Sequence, residues 1–396
     1  MLPVLPFDVI ALIIDIVGEN KDTDLLKELA LVSHSFHQIC IKHLFAYIDL
    51  HDAVPKYYLV SSKKRFVQLL KSRSHLAKYI RKLTFKASLN NDRDDHLLAP
   101  ILSNFLPTIF PLNCLAIDGS YLNWNTLDSS LASAFLHLIS LPTMNHIDLS
   151  NIANFPLSSL TSSVNLLRLD ILHVTHLDDP EEDNFFKTVQ PEMMPKIREF
   201  HTSGSYPLMK KLLDVKGQDG RPVFNFMDLI QLSISVVYDE DKRNIQCLLE
   251  KAKLLERLHL TVGICMSLVG VLSTSARTLK VLELTVPISS LAGLCEELEV
   301  MAGYNTLEAL SLGVFRVVDP YHTFDSIGST IQQVENVLIK PGWSALRQVS
   351  FKLPVKNRRG SAELSKALQS LPDKYLSHLS ELESVAFNYS AYPIYY

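Results

Sequence analysis

Leu255-Glu256-Arg257-Leu258-His259-Leu260 carries leucine at i, i+3 and i+5, and Leu279-Lys280-Val281-Leu282-Glu283-Leu284 repeats the pattern. The last two leucines of each set are two residues apart. On an extended chain they share one side, and the residue between them takes the other. The triplet also occurs at Ile80, Leu83 and Phe85; Leu112, Leu115 and Ile117; Met144, Ile147 and Leu149; and Val164, Leu167 and Leu169. Ile197 and Phe200 form a weaker copy. Further copies stand at Leu229, Leu232 and Ile234; Leu307, Leu310 and Leu312; Leu346, Val349 and Phe351; and Leu382, Val385 and Phe387. Their spacing, about 20 to 40 residues, is in or above the range of repeat proteins.

Helical periodicity fills the intervals, as in Ile245–Lys253, Ser289–Met301 and Ser361–Leu371. One strand and one helix per repeat predicts an α/β fold with a parallel sheet and helices outside it. The body resembles leucine-rich-repeat proteins. The Asn that usually follows the strand in that family is mostly missing, so the expected solenoid is irregular. A non-repetitive α/β domain is the alternative. Between the core leucines, the register points Asp148, Arg168, His201, Arg257, His259 and Glu283 to the opposite, polar side of the sheet. A rigid sheet presenting charges of both signs suits capture of a protein target.

The first fifty residues differ. Leu5-Pro6 and Asp8 open an apolar helical run through Val9, Ile10, Ile13, Ile14 and Val17, and Gly18-Glu19-Asn20 stops it. Pro6 suits a first helical turn, and Asp8 meets the positive end of the helix dipole. Leu25, Leu26, Leu29 and Val32 mark a second helix, with Thr23 or Asp24 as cap. Ser33 caps a third that runs through Phe36, Ile39, Cys40 and Leu44. A module this small and this apolar needs a neighbour to cover it.

That segment resembles an F-box, the helical domain that binds the Skp-type adaptor of cullin–RING ubiquitin ligases. Leu5, Pro6 and Asp8 stand at its Leu-Pro-x-Glu opening, Ile13 and Ile14 at its aliphatic pair, and Val32 and Phe36 at its Val and usual Trp. Leu44-Phe45 stands at its closing Leu-Trp. The loop Glu19–Asp24 is longer than the family's. The resemblance implies adaptor binding through Leu5, Pro6, Ile10, Ile13, Ile14, Leu29, Val32 and Phe36. It implies a substrate-recognition subunit, with the body holding a protein for ubiquitination and no chemistry of its own. A helical cap on a non-ligase scaffold, with a degenerate F-box, is the alternative. The expected organisation is a helical module at 1–50, a basic linking segment at 51–79 and the repeat body at 80–396.

Composition bounds the rest. The chain has 396 residues, 47% of them hydrophobic, and a formal net charge of −4. This is no nucleic-acid-binding balance. The basic stretch Lys63–Lys86 reads as a solvated helix face or a contact for an acidic partner. Five widely spaced cysteines without a C-x-x-C pair argue against a disulfide framework or a structural zinc, and for a reducing compartment, cytoplasm or nucleus. Val9–Val17 is far short of the roughly 20 residues that span a bilayer, so no membrane partner is expected. Asp178–Asp183 reads as a solvated acidic loop lacking calcium-loop spacing, and Lys216–Pro222 as a turn. His34 and His37 read as exposed. No catalytic motif stands out, and no cofactor is expected.

Overall fold

The computed structural model describes residues 6–51, 62–87, 95–104, 111–176, 179–190, 194–236, 241–263, 266–315, 324–356 and 369–394. The chain forms two compact units, one of residues 1–195 and 216–223, the other of 196–215 and 224–396.

The first unit opens with α1 (Phe7–Glu19), α2 (Thr23–Ala30) and α3 (His34–Leu44). Asp22, rather than Thr23 or Asp24, caps α2 by accepting the Leu25 N–H. Ser33 caps α3 through the Phe36 N–H, as the sequence predicts. Ile14, Leu26 and Cys40 form the module's core, with Ile10, Val17, Leu29, Phe36, Ile39 and Leu44 packed around it.

A parallel sheet follows: β1 (Tyr47–Leu50), β2 (Lys82–Lys86), β3 (Cys114–Asn123), β4 (His146–Ala153) and β5 (Arg168–Leu172). The first strand thus precedes residue 80, where the repeat body was expected to begin. The basic stretch supplies α4 (Ser62–Ser72), a short 3-10 turn (Ser74–Tyr79) and β2. Phe66, Val67 and Leu70 of α4 are buried while Lys64, Arg65 and Lys71 are exposed, the arrangement expected of an amphipathic helix. Lys63 departs from it: fully buried, its ammonium stands 4.9 Å from the centre of the Phe85 ring.

Leu83, Phe85, Leu115, Ile117, Ile147, Leu149, Leu169 and Ile171 point inward and are at most 1% exposed. Phe135 packs tilted against Phe85, ring centres 5.0 Å apart, and Trp124 meets Phe155 edge-on at 5.0 Å. One triplet is corrected. Val164 and Leu167 are exposed, and Leu166, Leu169 and Ile171 are the buried set. Two apolar series overlap in that stretch, and only the later one faces the core. The acidic run is also corrected: Asp179 caps a helix over Pro180–Phe186, with Glu181, Glu182 and Asp183 in its first turn, where the dipole favours them. Glu182 accepts the Ser158 N–H at 2.7 Å. Asp178 lies outside the described residues.

The second unit continues the pattern with β6 (Glu199–Ser203), β7 (Gln231–Val236), β8 (Arg257–Val262), β9 (Val281–Pro287), β10 (Ala309–Phe315), β11 (Gln348–Lys356) and β12 (Ala386–Ile394). Adjacent strands pair parallel in chain order. Helices Tyr206–Asp214, Lys242–Lys251 and Leu291–Met301 cover the core through buried residues such as Leu212, Leu248 and Leu298. Phe200 is buried, and Thr202 stands where the weak copy lacks its third apolar residue.

A backbone device recurs where the sequence motif is uneven. The carbonyl of the residue before a strand accepts two N–H groups, from the residue before the next strand and from that strand's first residue. Ala46, Arg81, Asn113 and Asn145 do this in the first unit; Arg198, Ile230, Glu256, Lys280 and Glu308 do it in the second. Each repeat therefore satisfies its neighbour's orphan donors without the missing Asn. Buried carboxylates do similar work. Glu297, 2% exposed, accepts the N–H groups of Gly270, Leu272 and Ser273, and Glu335, 1% exposed, accepts that of Leu379.

Candidate docking surfaces

Helix α1 is apolar on two adjoining faces. Ile10, Ile14 and Val17 turn into the module. Val9, Leu12, Ile13 and Ile16, spaced i, i+3, i+4 and i+7, make a second stripe that is 39%, 60%, 47% and 50% exposed. A helix with two apolar faces is expected to bury both. No described residue covers the second one. Leu31 and Val32, in the turn after α2, are 86% and 65% exposed, and Phe7 is 53% exposed.

The expected adaptor residues divide on these grounds. Ile13 and Val32 are exposed, as is Pro6. Ile10, Leu29 and Phe36 are partly buried against the core. Ile14 is corrected: at 1% exposure it is a core residue, not a surface contact. Leu5 lies outside the described residues. The sequence reading missed Leu12, Ile16 and Leu31. The signal was present as the second i, i+3, i+4, i+7 series.

The module is braced from below. Asp15 is bonded to His43 and Lys42, each at 2.7 Å, and these bonds hold its carboxyl below the usual carboxylate range. Gly18 gives the His43 ring its place, because a Cβ there would collide with the ring. Gly18→Ala gains about 1 kcal/mol of helix propensity but forces the ring off Asp15. We expect a net loss of about 1–2 kcal/mol in denaturant unfolding.

The polar face of the sheet is the second surface. In the first unit, strand register aligns Tyr47, Lys82, Cys114, His146 and Arg168 in one row. Asp49, Thr84, Ala116, Asp148 and Asp170 form the next. Arg168 donates to Asp170 from Nε and from an outer nitrogen, the latter at 3.0 Å. Burial, then the neighbouring Asp170, pushes the Asp148 carboxyl up. Asp148 and Arg168 thus lie in neighbouring rows of the polar face. In the second unit His201, Ser233, His259 and Glu283 make one row, with Arg257 in the row beside it. His259, Arg257 and Glu283 are exposed.

His146 sits in the first of these rows. Burial alone would lower its pKa, but hydrogen bonds to Asp170 and Cys114 outweigh that and raise it to about 9. A raised folded pKa contributes stability that is complete below the unfolded value, about 6.5, and is lost as pH climbs to the folded one. We expect the melting temperature to fall between pH 6.5 and 9, and His146→Gln to flatten that fall.

His34 and His37 are exposed. Among the described residues no group of three or more His, Cys, Asp or Glu is placed to hold a metal ion, and no helix is long and apolar enough to cross a membrane. The chain matches no protein-family model and no curated protein.

Proposed function

We propose that this chain is a substrate-recognition subunit of a cullin–RING ubiquitin ligase. Its helical module docks the Skp-type adaptor, and the polar face of its parallel sheet holds a protein target. The second apolar stripe of α1 carries this reading: Val9, Leu12, Ile13 and Ile16 are left uncovered on a helix already packed through its adjoining face. The Leu5-Pro6 opening and the three-helix arrangement support it. In this reading the chain supplies proximity, raising the effective concentration of target near a separate transferring enzyme, and acts in the cytoplasm or nucleus.

Reconstitution tests it. The full chain, mixed with a Skp-type adaptor and its cullin, is expected to elute as one stoichiometric complex on gel filtration. Separate elution at micromolar concentrations would favour the stand-alone scaffold and remove the ligase reading.

A further inference from the structure

The polar sheet face of the first unit contains a relay of a kind that activates sulfur. Cys114 Sγ lies 3.2 Å from His146 Nδ1, and His146 Nε2 lies 2.9 Å from Asp170 Oδ2. The three residues come from adjacent strands, with Cys114 and His146 directly opposite in register. Arg168 donates to the same Asp170 oxygen, Oδ2, from Nε at 3.1 Å and from an outer nitrogen at 3.0 Å. We propose that Cys114 is a reactive thiolate, held by His146 and positioned through Asp170, and that it is a site of covalent oxidation by small peroxides. This inference is independent of the adaptor reading.

The chemistry follows from the bonding. An imidazole bonded at Nε2 to a carboxylate and at Nδ1 to a sulfur donates from both nitrogens when protonated. Its retained proton, reflected in the raised pKa of His146, leaves the sulfur as acceptor, and a cation in contact favours thiolate. The charged groups around it are Lys82 on β2, His146 and Asp148 on β4, and Arg168 and Asp170 on β5. Cys114 is 7% exposed, so the reagent must be small. The thiolate attacks one peroxide oxygen, an S–O bond forms and the O–O bond breaks. The departing hydroxide takes the His146 proton and leaves as water. Sulfur is oxidised by two electrons to sulfenic acid, the peroxide is reduced, and His146 ends neutral.

The other described cysteines lack this setting. Burial pushes the Cys40 thiol up, and burial with nearby Glu299 and Glu296 pushes Cys295 to about 11. Cys247 is more exposed than Cys114 and serves as the accessible control.

The test is a hydrogen peroxide pulse on the intact chain, followed by denaturation, alkylation of surviving thiols and mass spectrometry of each cysteine peptide. Cys114 is expected to be lost at least about tenfold faster than Cys247 at pH 6. Its rate should change less than about threefold from pH 6 to 8, where an unassisted thiol gains roughly 70-fold. His146→Gln should restore that steep climb, and Asp170→Asn should move the profile the same way. A wild-type Cys114 that reacts no faster than Cys247, or whose rate climbs like an unassisted thiol, overturns the proposal without recourse to the variants.

Discussion

Leu12→Asp and Ile13→Asp are each expected to leave the chain folded and to weaken adaptor binding about a hundredfold or more. Both side chains are largely exposed, at 60% and 47%, so their replacement removes little packing and should shift stability by less than about 0.5 kcal/mol. A carboxylate in the centre of a desolvated contact would lose its hydration without gaining a partner, which is why the binding loss is large. Ile14→Ala is the contrasting variant. Its side chain is 1% exposed among Leu26 and Cys40, so truncation opens a cavity and costs about 2–5 kcal/mol. Denaturant unfolding and adaptor titration on the same three proteins separate surface from core. If Leu12→Asp destabilised the chain as much as Ile14→Ala, the stripe would be a packed face and not a docking surface.

Glu297→Ala is expected to cost about 3–5 kcal/mol. The carboxylate is 2% exposed and accepts N–H groups from Leu272 at 2.8 Å and Ser273 at 3.1 Å, together with that of Gly270. Its removal leaves three backbone donors without their acceptor in the repeat between β8 and β9. Glu297→Gln keeps one acceptor oxygen and should cost less than half as much. Urea unfolding measures both. Equally small effects from the two variants would mean that the loop 270–273 finds other acceptors, and that Glu297 does not hold this repeat together.

The strands were legible because alternation is a local property. Leu258 and Leu260 fix which way His259 points, whatever the rest of the chain does. Where two apolar series overlap, as at Val164, Leu166, Leu167 and Leu169, local pattern has no means of choosing, and the choice fell on the exposed pair. Helix α1 posed the same difficulty in another form. Ile13 and Ile14 are chemically alike, and only packing against α2 and α3 separates surface from core. β1 was missed although Phe45, Ile48 and Leu50 repeat the i, i+3, i+5 triplet, because these residues read as the end of the helical module.

The relay at Cys114 was illegible for a more basic reason. Its members are 32 and 24 residues apart, and only parallel register brings them side by side. The recurring double acceptance by pre-strand carbonyls is equally hidden, since any residue type supplies the carbonyl. Arg168 and Asp148 were placed on the polar face from alternation alone. Asp170, which bonds Arg168, was not singled out, although it lies on the same strand two residues on.

The second stripe of α1 is expected to have a specific partner. The most direct measurement is a calorimetric titration of the full chain with a Skp-type adaptor at several temperatures. Binding at micromolar affinity or tighter, with a negative heat-capacity change that marks apolar burial and with loss on Leu12→Asp, is the predicted result. No heat of binding from a chain whose cooperative unfolding shows it to be folded would contradict it.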